Sequence, residues 1–219
     1  MNEYVIRIVC IVIGYLFGTV QTAYFYGRMK GIDIRKHGSG NAGTTNALRV
    51  LGTKAGFIVL FGDMIKCILA ILLTWLLFGR SYPEMTYLLK IYTAAGCVLG
   101  HDFPFYMNFK GGKGIACTAG YILAFHPSFI PFCLIAFLAP FIITHYVSLG
   151  SMCIYGCFLL IMVIEGQMGV FGMPQPMLTE MYIVAFLMCA LAVWRHRENL
   201  KRLAHGEERK TYLFKKPAK

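Results

Sequence analysis

Three stretches of the chain concentrate residue types that grip an anion. The first is Lys36-His37-Gly38-Ser39-Gly40-Asn41-Ala42-Gly43-Thr44-Thr45-Asn46-Ala47-Leu48-Arg49. Its glycines let the backbone approach a ligand closely. Ser39, Asn41, Thr45 and Asn46 supply short polar groups, and Arg49 a planar fork that fits phosphate or carboxylate. The second is Gly100-His101-Asp102-Phe103-Pro104, then Phe109-Lys110-Gly111-Gly112-Lys113-Gly114. Gly-Gly-Lys-Gly ahead of a helix start reads as an anion nest, in which successive N–H groups, the lysine and the helix dipole converge. The spacing is not that of a nucleotide-binding Walker loop. The third is Arg195-His196-Arg197-Glu198-Asn199-Leu200-Lys201-Arg202-Leu203, then Gly206-Glu207-Glu208. His196 and Asn199 share a helix face, which a basic lipid anchor would not require.

Two charged residues also fall inside an apolar stretch, Asp63 and Lys66. Charges within a membrane span are costly and face a partner or a cavity. The spacing suits a salt bridge; the alternative is that Asp63 orients, and Lys66 contributes to, an anionic substrate site. Nucleophilic catalysis by Ser39 lacks an evident acidic partner for a Ser–His relay. An H-x-x-x-x-D acyltransferase motif is absent, because the residues five after the six histidines are Ala42, Tyr106, Pro131, Gly150, Lys201 and Lys210.

These motifs must be positioned by membrane helices. Of 219 residues, 58% are hydrophobic and 14% charged, more apolar surface than a soluble domain can hide. The expected fold is all-α and polytopic, one domain over residues 1–219 with seven spans: Val5–Tyr24, Ala55–Phe78, Met85–Leu99, Ile115–Phe125, Phe129–Tyr146, Val147–Glu165 and Met177–Trp194. The third, fourth and seventh are short for a bilayer core of about 30 Å. Ser148 and Gly150 are the expected turn between the fifth and sixth. The N-terminal run lacks the basic start and cleavage site of a signal peptide, so it is the first span. With seven spans, the loops after spans one, three and five share a side with the tail. That side holds 17 of the 21 Lys and Arg. The positive-inside rule puts it in the cytoplasm and the N-terminus outside. The net charge of +11 thus reads as topology and anionic lipid rather than nucleic acid. Eight cysteines lie almost wholly in apolar stretches without a metal-ligand pattern and read as small hydrophobes.

At these residues the sequence resembles the bacterial acyl-phosphate:glycerol-3-phosphate acyltransferases, the PlsY family. GSGNAGTTNALR, GHDFPFYMNFKGGKGIA and RHRENLKRLAHGEE resemble the family's three motifs in order, spacing and sidedness. Thr44, Cys117 and Leu200 depart from the usual alanine, threonine and isoleucine. The resemblance implies transfer of a fatty acyl chain from acyl phosphate to the 1-hydroxyl of sn-glycerol 3-phosphate, which begins bacterial phospholipid synthesis. It implies no cofactor or metal, no direct need for coenzyme A or acyl carrier protein, and a monomer in the plasma membrane with a cytoplasmic site. It assigns Ser39, Arg49, Lys113, His196 and Asn199 to catalysis. Gly38, Gly40, Asn41, Thr45, Asn46, Asp63, Lys66, His101, Gly111, Gly112, Gly114 and Ser148 are the expected substrate contacts, and Glu208 a structural residue. Two other classes compete. A transporter of a small phosphate ester requires polar residues through the depth of several spans. A lipid-binding scaffold explains the basic tail but neither the Ser/Asn/Arg nor the His/Asn set.

Overall fold

The computed structural model describes residues 2–212, and every regular element among them is helical. Ten α-helices follow in order: α1 Glu3–Gly18, α2 Thr22–Met29, α3 Thr44–Leu51, α4 Thr53–Phe78, α5 Thr86–Asp102, α6 Ile115–Phe125, α7 Phe129–Thr144, α8 Val147–Gln167, α9 Gln175–Arg195 and α10 Arg197–Ala204. Four stretches are long and apolar enough to cross a membrane: Glu3–Met29, Thr53–Phe78, Val147–Gln167 and Gln175–Arg195. Two apolar helices, α6 and α7, are shorter.

The pair at the centre is α1 and α5. Gly14 and Gly18 on α1 press on the backbone of Thr93 and Cys97 in α5, and Gly96 and Gly100 on α5 press on that of Ile11 and Tyr15 in α1, so the backbones touch. A β-carbon at Gly14 would lie 2.0 Å from the Thr93 carbonyl oxygen, and one at Gly100 2.1 Å from that of Tyr15. Small residues spaced by four permit such an approach in lipid, where packing rather than hydrophobicity drives association. One end of this pair is closed by Arg7, which donates to both Glu180 oxygens at 2.6 and 3.0 Å, while Tyr92 donates to the same carboxylate at 2.6 Å. Beside it, Tyr121, Phe125, Phe129, Phe158 and Phe171 form a cluster of edge-on rings.

Four boundaries differ from the sequence expectation. The first span is not one straight helix: α1 stops at Gly18, and α2 starts at Thr22. The cause is a buried cation. Lys66 of α4 donates to the carbonyls of Gly18 (3.1 Å) and Val20 (2.6 Å), which takes them out of the helical ladder. Helix α5 runs past Leu99 to Asp102, so His101 and Asp102 are helical; Pro104 then bars continuation. The seventh expected span is not short, since α9 has 21 residues. The turn between α7 and α8 is at His145, left-handed at φ 62°, and Ser148 and Gly150 lie inside α8.

Candidate active site

The three motifs meet around one cavity of about 650 Å³ at the opposite end from the Arg7–Glu180 pair. Its walls include Ser39, Arg49, Lys113, His196 and Asn199, together with Gly38, Gly40, Asn41, Thr45, Asn46, Asp63, His101, Ser148 and Glu208. Leu60, Phe137, Phe141 and Val147 form an apolar side. A basic, polar wall beside an apolar one suits an amphiphile.

The first motif is organised from within by Asn46. Its Nδ2 donates to the carbonyls of Ile34 (3.1 Å) and His37 (3.0 Å), and its Oδ1 accepts from the Ser39 amide at 2.8 Å. The buried side chain is thereby engaged within the loop, and Asn46 shapes that loop while lining the cavity. Gly38, at φ 62°, turns the chain over that amide. Arg49 on α3 has no hydrogen-bond or ion-pair partner among the described residues. Burial, then the nearby positive charge of Arg209, holds its guanidinium below the ordinary value. An unpaired, half-buried guanidinium in a cavity favours an anion.

The second motif works differently from the expected nest. The amides of Gly111 and Gly112 donate to the carbonyls of Asp102 (3.1 Å) and His101 (3.0 Å). Neither glycine lines the cavity. A β-carbon at Gly112 would lie 2.0 Å from His101 Nε2, so the pair is small for packing and not for cradling. Arg195 Nη2 donates to the Gly111 carbonyl at 3.3 Å and also to that of Gly112, locking this loop to α9. What faces the cavity is Lys113 with Ile115 and Ala116, the first turn of α6. The initial N–H groups of any helix lack intrahelical acceptors. Gly114, left-handed at φ 72°, makes the turn into that helix without itself lining the cavity.

The third motif forms a relay of fixed polar groups. Lys113 donates to Asn199 Oδ1, whose Nδ2 donates to Glu208 Oε1 at 2.6 Å. Glu208 also accepts from Ser148 at 3.2 Å and from Arg202 at 2.8 Å. Lys113 is pushed down to about 8 by burial, then by the charge of Arg202. His196 is 4% exposed, and its Nδ1 donates to the Ala192 carbonyl at 2.8 Å, leaving Nε2 as the acceptor. Burial, with Lys113 and Arg195 nearby, lowers His196 to about 4.

Lys66 does not line the cavity. Its ammonium lies 2.8 Å from Asp63 Oδ1 and 2.9 Å from His101 Nδ1, besides the two carbonyls of the α1 break. Those contacts exceed its three protons, so Lys66 braces the helices beneath the cavity. Asp63 Oδ1 also accepts from Thr22 at 2.9 Å, whereas its Oδ2 has no hydrogen-bond partner among the described residues. Sequence reasoning missed Gln21, which donates to the His101 carbonyl at 2.7 Å, and Arg209 and Thr211, which join the cavity wall. Arg209 and Thr211 lie beyond the last motif, and Gln21 lies within an apolar run, so no spacing signal marked them.

Comparison with known proteins identifies the family and the fold. The sequence profile of the family described as glycerol-3-phosphate acyltransferase matches residues 8–206. The glycerol-3-phosphate acyltransferase of Clostridioides difficile (strain 630) is 39% identical over 206 residues, covering 93% of this chain and 94% of that protein. The one from Crocosphaera subtropica is 37% identical, with 94% of each covered. A crystal structure of PlsY, an integral membrane glycerol 3-phosphate acyltransferase, in its glycerol 3-phosphate form superposes with a TM-score of 0.80. It is 32% identical and covers 95% of this chain and 99% of that one. The same protein in its lysophosphatidic acid form gives a TM-score of 0.78 at 31% identity, covering 94% and 96%. With a profile that spans most of its length and relatives matched nearly end to end, this chain belongs to the glycerol-3-phosphate acyltransferase family.

Proposed function

We propose that the chain transfers a fatty acyl group from an acyl phosphate to the 1-hydroxyl of sn-glycerol 3-phosphate. The products are lysophosphatidic acid and inorganic phosphate, and the reaction begins phospholipid synthesis in the bacterial plasma membrane. The protein acts as one monomeric, seven-span domain with its site on the cytoplasmic face, and uses neither coenzyme A nor acyl carrier protein directly. The observation that carries this reading is the convergence of Ser39, Arg49, Lys113, His196 and Asn199 on one cavity with an apolar side.

The chemistry follows from the contacts. An acyl phosphate is a mixed anhydride with a good leaving group, so the alcohol needs positioning more than a strong nucleophile's help. The glycerol oxygen bonds to the acyl carbon, the acyl–oxygen bond to phosphorus's oxygen breaks, and its electron pair leaves with phosphate. Arg49, Lys113 and the α6 N-terminus hold the phosphates and the oxyanion. His196 Nε2 accepts a hydrogen bond from the attacking hydroxyl and orients it. A group near 4 is a weak base at neutral pH, so the proton passes to a phosphate oxygen. Direct transfer in a ternary complex is favoured over an acylated Ser39, whose hydroxyl has no base in hydrogen-bond reach among the described residues.

The transporter reading is disfavoured by the interior. Below the Asp63–Lys66–His101 brace the core is Cys67, Ile71, Leu88, Tyr121 and Phe125 rather than a polar path. The test is phosphate release by purified protein given acyl phosphate and glycerol 3-phosphate. Release that depends on both substrates and vanishes in Lys113→Ala supports the enzyme. Silence of the wild-type protein, or ping-pong kinetics, contradicts the stated reaction.

A further inference from the structure

Beyond α10 the described residues, to Tyr212, stay on the molecule. Gly206, at φ 71°, ends the helix: its amide donates to the Leu203 carbonyl at 3.1 Å, and the Glu207 amide to that of Arg202 at 2.8 Å. This paired ending reverses the chain, and only glycine adopts that φ without strain. The following residues run back across the cavity rim as a strap. Glu208 is tied to Ser148, Asn199 and Arg202. The Thr211 amide donates to the His145 carbonyl at 2.9 Å, in the turn between α7 and α8. Tyr212 lies on the His145 ring at 4.7 Å, and Lys210 over Tyr146 at 5.9 Å.

Strapped this way, Arg209 lines the cavity, as Arg49 does from the facing helix α3. Neither arginine has a carboxylate partner among the described residues, although Glu208 is adjacent in sequence to one and is occupied by Asn199, Ser148 and Arg202. Two like charges held near one cavity repel unless an anion lies between them. The strap anchors at both ends of Arg209, so the chain holds the repulsive arrangement rather than relaxing it.

We infer that Arg209 is a further substrate-binding residue, closing with Arg49 a two-arginine clamp on a terminal phosphate dianion. This rests on the proposed reaction for the choice of ligand. The phosphate is that of glycerol 3-phosphate or that of the acyl donor, and both present the same chemistry to a pair of guanidinium forks. Arg209 lies at the exposed rim and Arg49 half-buried within, so the outer residue captures the dianion and the inner one fixes it. The residue follows the stretch that the family profile matches, residues 8–206.

The test is steady-state kinetics of Arg209→Ala, Arg209→Lys and Thr211→Pro, each substrate varied in turn. The expected result is a KM raised about five- to tenfold for one phosphate substrate, with kcat within about twofold, as for one lost charge-assisted contact. Arg209→Lys restores most of the loss. Thr211→Pro, which removes the anchoring N–H, raises the same KM. A rise confined to glycerol 3-phosphate assigns the clamp to the acceptor, and one confined to acyl phosphate to the donor. Unchanged KM values, equal rises in both, or a fall in kcat alone overturn the clamp. Inorganic phosphate provides a readout without turnover: it raises the unfolding temperature of wild-type protein, and less so that of Arg209→Ala. An equal rise in both proteins also overturns the clamp. Wild-type protein that binds phosphate through Arg209 yet releases none from acyl phosphate refutes the reaction and leaves the clamp standing.

Discussion

Lys113 and His196 carry the pH behaviour of the site. Lys113, down at about 8, loses its charge as pH rises through that value. Phosphate binding in the free enzyme therefore weakens above about pH 8, and kcat/KM for glycerol 3-phosphate falls there. Lys113→Arg keeps the charge and moves that limb upward; a pH–rate profile in which the limb stays put contradicts the assignment. His196 stays neutral down to about pH 4. Its burial contributes a stability that is full above the unfolded value of about 6.5 and lost as pH falls from there through about 4. Thermal unfolding between those limits is expected to depend less on pH in His196→Gln. Asn46 is a third case. Asn46→Ala leaves buried carbonyls unpaired, which costs about 1–3 kcal/mol and lowers activity by loosening the Ser39 loop, measured together as unfolding temperature and kcat/KM.

At the scale of elements, the site depends on one helix contact and one helix break. The α1–α5 contact works only without side chains at Gly14, Gly18, Gly96 and Gly100. A leucine at Gly100 would collide with the Tyr15 carbonyl, forcing the pair apart at about 1–3 kcal/mol, read as lower yield of monodisperse protein and a lower unfolding temperature. The break between α1 and α2 was invisible in the sequence, where Val5–Tyr24 is simply apolar. It exists because Lys66, far along the chain, takes the Gly18 and Val20 carbonyls. The Gly111-Gly112 pair shows the converse. Composition suggested a nest, but their amides face the end of α5, a direction no spacing records.

For the whole molecule, the charge bias remains the guide to orientation. The cavity is at the end of the bundle that carries the three basic motifs, and the Arg7–Glu180 pair closes the other. The expected outcome in intact cells is that a membrane-impermeant maleimide labels Arg80→Cys but not Lys54→Cys or Lys110→Cys until the membrane is opened, against the unsubstituted chain as background. Labelling of Lys110→Cys from outside would invert the proposed topology.

By itself the sequence determined the class and the parts of this protein. Hydrophobic runs required membrane helices, and motif order and residue type led to the glycerol-3-phosphate acyltransferase family. Those signals are local, since each lies within a few consecutive residues. Tertiary structure decided which parts touch substrate space and which support it. Asn46 and Lys66 act as braces because their polar atoms are filled by groups up to 12 and 48 residues away, respectively. Arg209 entered the site because a glycine turn and an anchored strap return it there. Hydrogen bonds between distant residues leave no periodic trace, so only the folded chain displays them.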